Sequence, residues 1–334
     1  MKTAEGAPSV IPAPADVWML VREQPSMLGN ATQALATALA AAHGPRFAVW
    51  HTDELLFGVA DGRLVLRTLG GADVPAPEVV CVRQMPGSMR DNREVTLLRH
   101  LERMGSTLVN RPDAHLLCRN KIWQLQELAA AGLPVPDTLS YATAPLEGVV
   151  RNVAAPCVVK AVRGTKGHQV FLAPDQRLLR DVAGSLTQEV PFLFQEHVAA
   201  SHGRTLRVVV VDGEPVGAVL HTSGGDALAA NIGNGGSAAL CSGRYPEAER
   251  IAVEAAAVLG LDIAGVDLLF TADDGYTLCE VNAVPGWRPA MTTVVPAITA
   301  CIARRLAARG SVTHGSATRG STARRDGTAC RERA

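Results

Sequence analysis

Two apolar runs, Gly265-Val266-Asp267-Leu268-Leu269-Phe270 and Leu278-Cys279-Glu280-Val281-Asn282, carry acidic and amide side chains where a buried strand should have none. The polar turn between them, Ala272-Asp273-Asp274-Gly275, contains the Asp-Gly pair of a tight hairpin. With Asp274-Gly275 as a two-residue turn, Asp273 faces Tyr276, and counting outward sets Asp267 opposite Asn282. Glu280 and Asn282 are two apart and share a face. Two carboxylates and an amide converging on one spot form a hard-oxygen ligand set, suited to a magnesium ion shared with substrate phosphates. The plainer alternative is that Asp267 caps a strand end and Glu280 pairs with an arginine.

At 334 residues and 47% hydrophobic content, the chain is long enough for two or three domain-sized units. Lys+Arg and Asp+Glu both total 32, so no overall charge favours nucleic acid or an anionic membrane, and neither is expected as a partner. The seven cysteines are scattered, with no Cys-x-x-Cys, and read as small buried hydrophobes in a reducing cytoplasm. No run reaches membrane-spanning length, and the expected location is cytoplasmic. Only Lys2, Lys121, Lys160 and Lys166 are lysines, which directs attention to Lys121 and Lys160 as chemically required cations.

Along the chain, residues 1–15 read as a disordered segment and residues 16–112 as an N-terminal α/β domain. Its strands are expected at 16–21, 79–83 and 108–110, and its helices at 31–42 and 92–104. Pro112-Asp113 opens a second unit, with a helix over 114–131 that carries Lys121. The strand 157–162 runs into Arg163-Gly164-Thr165-Lys166-Gly167-His168-Gln169, a Gly-flanked basic loop that either lies over phosphates or is an ordinary solvated turn. Strands 206–211 and 215–220 flank Asp212-Gly213, another hairpin signal. A helix is expected over 246–259 and a last one over 297–308. From Arg309 to Ala334 the chain lacks apolar periodicity and reads as a disordered tail.

Lys121 on a helix, Lys160 before a Gly-rich loop, Gln195-Glu196 at a strand end, Arg207, Asn231 and the Asp267/Glu280/Asn282 set follow one another in an order that resembles the RimK-type ATP-grasp ligases. Within that family the chain is most similar to the branch of animal enzymes that join N-acetylaspartate or citrate to glutamate. Arg93-Glu94-Val95-Thr96-Leu97-Leu98, Asn110-Arg111-Pro112, Pro136-Asp137-Thr138-Leu139-Ser140-Tyr141 and Ser201-His202-Gly203-Arg204 carry this likeness, which runs from about Trp18 to Leu306.

The resemblance implies an α/β (α+β) ATP-grasp fold, with an N-terminal pre-ATP-grasp domain, a central lobe over about 113–194 and a C-terminal lobe over about 195–308. It implies a ligase that uses ATP to activate a carboxylate as an acyl phosphate and joins it to the amine of glutamate or a similar amino acid. Lys121 and Lys160 would contact the nucleotide phosphates, and the backbone of Gln195, Glu196, His197 and Val198 would hold adenine. Arg207 and Lys160 would be catalytic, with Thr205, Arg207, His221 and Asn231 near the nucleotide. Asp267, Glu280 and Asn282 would hold magnesium, or manganese in its place. The partners implied are a small carboxylate donor and an amino-acid acceptor, and a homo-oligomer is left open.

Three positions depart from the family. Thr205 stands where an Asp is usual, His221 where the animal enzymes have an Arg, and Ala227-Leu228-Ala229-Ala230-Asn231 lacks the arginine placed shortly before the Asn. Arg244 or Arg288 are the candidates to replace the lost charge. Two other readings compete with the leading one: a nucleotide-binding module without turnover, and a ligase acting on a protein or peptide C-terminus.

Overall fold

Val17–Val21 (β1) is buried at every position, as a strand with both faces covered must be. The structure, a computed structural model, describes residues 15–22, 29–83, 93–164, 170–186, 191–225, 228 and 236–316. After β1 come Asn30–His43 (α1), Phe47–His51 (β2), a hairpin of Leu55–Ala60 (β3) and Arg63–Thr68 (β4), then Val79–Val82 (β5), Arg93–Arg103 (α2) and Thr107–Val109 (β6). β2-β1-β5-β6 form one sheet in which every pairing is parallel. β2, β3 and β4 were not expected from sequence. The β3–β4 turn, Asp61-Gly62, has positive φ at both residues, the conformation a two-residue hairpin demands.

The next unit holds Pro112–Arg119 (α3), Lys121–Ala130 (α4), Thr138–Ser140 (β7), Leu146–Val150 (α5), Cys157–Ala161 (β8), Val170–Ala173 (β9), Gln176–Ser185 (α6) and Phe192–Glu196 (β10). Its sheet runs β7-β10-β8-β9 and is antiparallel. The single helix expected over 114–131 is two. Asn120 leaves helical geometry, and its Oδ1 accepts from the N–H groups of Ile122 and Trp123, so it caps α4 and sets Lys121 at the first helical position.

The third sheet is β13-β12-β11-β14-β15, built from Arg204–Val211 (β11), Glu214–Thr222 (β12), Ser237–Leu240 (β13), Ile263–Phe270 (β14) and Tyr276–Asn282 (β15). Pro246–Val258 (α7) covers one face, over Leu206, Val208, Val266, Leu268, Leu278 and Val281. Val294–Ser316 (α8) covers part of the other, where Val209, Val211, Val219 and Ile263 meet Val294, Ile298, Cys301 and Ile302. The same core takes in Val17, Met19, Leu35, Leu39, Val79 and Cys81, so α8 joins the first sheet to the third. The final helix thus continues eight residues past its expected end, and Arg309 Nη1 donates to Thr107 Oγ1 at 3.1 Å. Residues 1–14 and 317–334 lie outside the described residues.

Two buried amides fix the third sheet in place. Asn110, past the end of β6, donates to the carbonyls of Ile263 and Ala283 at 2.7 Å each and accepts from the Ile263 N–H at 2.8 Å. Gln124 on α4 accepts from the Val281 N–H at 2.8 Å. The Leu278 N–H donates to the Pro134 carbonyl at 2.8 Å. The outer edge of β15 is therefore anchored to the chain around α4 rather than left open.

Candidate active site

The face of the third sheet that α8 leaves uncovered carries the polar side chains. Arg207 on β11 lies directly opposite Asp267 on β14, and Asp267 lies directly opposite Glu280 on β15. The expected pairing of Asp267 with Asn282 is corrected: Asn282 pairs with Gly265. Two features shift the register. Asp274 has positive φ while Gly275 does not, so the turn spans Thr271 to Gly275, closed by the Thr271 N–H donating to the Gly275 carbonyl at 3.0 Å. A bulge then inserts Cys279 between the pairs Leu268–Leu278 and Asp267–Glu280.

The bulge has a packing consequence. Leu278 and Val281, three apart, could not both face the α7 core in a regular strand, yet both are fully buried there. The extra residue brings both inward and leaves Glu280 and Asn282 on the open face with Asp267. Gly265, opposite Asn282, keeps this end tight: a Cβ there would come 2.6 Å from Pro285 Cβ. Asp267, Glu280 and Asn282 therefore share one sheet face, in a register different from the one expected.

Each carboxylate has a cation in place. Arg207 binds Asp267 through two parallel hydrogen bonds, Nε to Oδ1 at 2.7 Å and Nη2 to Oδ2 at 2.6 Å. The negative charge of Asp267, and after it that of Glu280, raises the Arg207 guanidinium above its ordinary range despite burial. Lys121 Nζ donates to the Gly164 carbonyl at 3.0 Å and stands 3.5 Å from Glu280 Oε1. Lys160, on β8, is buried. Burial pushes the Cys279 thiol up, against the opposing charge of Lys160, with Asp267, Glu280 and Lys121 also acting on it. Both lysines and both carboxylates therefore share one electrostatic neighbourhood, although they come from β8, α4, β14 and β15.

The end of β10 and the segment that links it to the third sheet hold the other candidates. Gln195 is buried, and its Nε2 donates to Thr138 Oγ1 at 2.8 Å. Glu196 is exposed, and its N–H donates to the Asp137 carbonyl at 2.9 Å. His197 Nε2 and His202 Nδ1 are 3.1 Å apart, and burial together with His202 lowers the His197 pKa. The Ser201 N–H donates to the Val198 carbonyl, while Ser201 Oγ accepts from the Phe270 N–H at 3.0 Å and pins this segment to the end of β14.

Thr205 pairs with His221 across β11 and β12, on the face shared with Arg207. Burial first, then Arg207, lowers the His221 pKa against the pull of Asp267, and Arg288 lowers it further. Arg288 thus supplies positive charge close to the place where His221 stands for an arginine. Arg244 does not: it lies exposed in the turn before α7, its charge acting on Cys241 of the α7-side core. Asn231, Ala227, Ala229, Ala230 and the loop residues 165–169, Lys166 among them, lie outside the described residues. Sequence reasoning missed Gln124 and Asn110, whose roles depend on backbone partners far along the chain that no local pattern announces.

A RimK-like ATP-grasp domain family matches residues 118–306, a span that takes in Lys121, Lys160, Arg207, Asp267, Glu280 and Asn282. The chain belongs to the RimK-like ATP-grasp family. It is 39% identical over 239 residues to human (Homo sapiens) beta-citrylglutamate synthase B, covering 70% of this chain and 62% of that one. It is 38% identical over 239 residues to mouse (Mus musculus) N-acetylaspartylglutamate synthase A, covering 70% of this chain and 63% of that one. The chain thus spans less than two thirds of the length of these curated relatives. Among solved structures, the ATP-grasp ligase PsnB complexed with a phosphomimetic variant of its minimal precursor, Mg and ADP superposes with a TM-score of 0.61 at 22% identity, covering 87% of this chain and 98% of that one. The chain therefore has the mixed α/β ATP-grasp fold. Among the described residues, no helix is long and apolar enough to cross a membrane.

Proposed function

We propose that this RimK-like ATP-grasp protein is an ATP-dependent carboxylate–amine ligase, which joins a small carboxylic acid to the amine of glutamate or a similar amino acid. The observation that carries this reading is the arrangement of Arg207–Asp267 and Lys121–Glu280 on neighbouring strands, with the charge of buried Lys160 acting on Cys279, next to Glu280. No serine, cysteine or histidine nucleophile is needed, because the chemistry asks mainly for positioning and for neutralisation of phosphate charge.

In that reaction a donor carboxylate oxygen attacks the γ-phosphorus of ATP, the bond to the bridging oxygen breaks and ADP leaves. The amine nitrogen then attacks the acyl carbon, the carbon–oxygen bond to phosphate breaks, and the amine gives up its proton. Lys121 and Lys160, compact cations, balance the negative charge of the nucleotide phosphates. Arg207 stabilises the charge that builds on the transferring phosphoryl and on the tetrahedral intermediate, and Asp267 holds its planar fork in one orientation. The Gln195–Val198 segment between the two sheets is the place for adenine.

Asp267, Glu280 and Asn282 suit a hard divalent cation, since each carboxylate oxygen keeps lone pairs beyond those used by its cationic partner. Magnesium held there would supply positive charge to neutralise the nucleotide phosphates. The names of the relatives support an acidic donor and a glutamate acceptor. The test is ADP release by the purified chain with magnesium and ATP, over pairs of acids and amino acids, with products weighed by mass spectrometry. Amide formation from one acid–amine pair is expected. A folded protein that binds ATP and releases no ADP with any pair would contradict the ligase reading in favour of a binding module.

A further inference from the structure

One buried charge takes no part in the arrangement above. Arg83 follows β5 directly and is only 7% exposed, and its Nε has no hydrogen-bond partner. Among the described residues no carboxylate pairs with it. Burying a guanidinium without a counter-anion is costly, and a folded protein keeps such a group only where something else meets its need.

The position is informative. In the parallel sheet β2-β1-β5-β6, the chain steps from β1 outward to β2 and then back across to β5 on the other side of β1. Such a reversal opens a crevice at the carboxyl ends of the two central strands, where open α/β sheets bind ligands. The Arg83 N–H donates to the Leu20 carbonyl at 2.9 Å, which sets the residue on the carboxyl rim between β5 and β1.

That rim abuts the third sheet. Asn110 holds Ala283, the residue after Asn282. The Arg83 guanidinium lies over the Trp287 ring, 4.6 Å from its centroid. The ring takes up one side of the guanidinium, and the unpaired Nε keeps a donor for an oxygen ligand. Trp287 precedes Arg288, whose charge reaches His221 opposite Thr205. Arg83 and Arg288 therefore flank Trp287 between the carboxyl rim of the first sheet and the face of the third sheet that carries His221 and Thr205.

We propose that Arg83, its guanidinium stacked on Trp287 at the switch point of the N-terminal sheet, binds a carboxylate group of an acidic substrate that is not the one being activated. That the bound acid is a substrate rests on the ligase reading. The site itself is a carboxylate subsite for a di- or tricarboxylate. The donor acid and the amino-acid acceptor are two sources of the same chemistry.

The full chain with Arg83→Met and Arg83→Lys tests this by calorimetric titration with citrate, N-acetylaspartate and L-glutamate, with L-glutamine as the neutral side-chain control, in the presence of magnesium and a non-hydrolysable ATP analogue. Arg83→Met is expected to weaken at least one acid about tenfold to a hundredfold, the effect of one charge-assisted contact, while nucleotide affinity stays the same. Arg83→Lys, which keeps the charge and loses the fork, should fall between. Loss confined to citrate and N-acetylaspartate assigns the subsite to the donor, and loss confined to glutamate assigns it to the acceptor.

Without ligand, Arg83→Met should melt at or above the wild-type temperature, since it removes an uncompensated buried charge. Equal affinities for every acid in wild type and variants would overturn the proposal. So would a wild type that binds nucleotide but none of the acids, or a methionine variant that melts far below wild type. A protein that binds an acid through Arg83 yet forms no amide would overturn the ligase reading instead.

Discussion

Replacing Glu280 with glutamine is expected to lower ADP release by at least about two orders of magnitude, the loss typical of removing one main electrostatic group from an active site. The fold should be little affected. The Glu280 side chain is partly exposed and its contact with Lys121 is 3.5 Å long, so the pair contributes little to stability. Lys121 also keeps its bond to the Gly164 carbonyl. Glutamine preserves the volume and one side-chain oxygen, and what is lost is the negative charge opposite Asp267. Circular dichroism and melting checks the fold, and ADP release checks the rate. A folded variant with near-normal turnover would remove Glu280 from the site.

The second large effect lies one strand over. Arg207→Leu should abolish turnover and also destabilise the protein, because Asp267 is 8% exposed and would be left as a buried, unpaired carboxylate. Breaking such a pair costs about 3–5 kcal/mol when both partners are buried, and the partial exposure of Arg207 puts the expected loss at the lower end. The double variant Arg207→Leu with Asp267→Leu should recover much of that stability and none of the activity, since both charges are removed together. Denaturant unfolding measures the first and ADP release the second. If the double variant were less stable than Arg207→Leu alone, the pair would be more than a local ion pair on the sheet face.

Much of this site could be read from the residues, because its signal is a contradiction: oxygen side chains inside apolar strands. Asp212-Gly213 marked the β11–β12 hairpin for the same reason that Asp61-Gly62 marks β3–β4, a pair able to take positive φ at both positions. The second pair is equally legible in the sequence. Asp274-Gly275 looked identical and behaves differently, because only Asp274 takes positive φ and the turn widens. A register counted from an assumed turn inherits the error, and only the demand that Leu278 and Val281 both face the core would have exposed the bulge.

Other features had no local signature. β7 and β13 are three and four residues long and half exposed, too short to show alternation. The break at Asn120 lies inside a continuous helical pattern and is set by a side-chain cap. The stacking of Arg83 on Trp287 joins the ends of two different sheets, a contact of tertiary structure alone.

The central claim is that a carboxylate is activated by phosphoryl transfer on the uncovered face of the third sheet. It is tested most directly by oxygen-18 in the donor carboxyl group, with whichever acid supports ADP release and L-glutamate as the amine. The account predicts that one labelled oxygen moves from the acid to the released inorganic phosphate for each amide formed, because the acyl carbon–oxygen bond breaks when the amine attacks. Amide formation with unlabelled phosphate would contradict it.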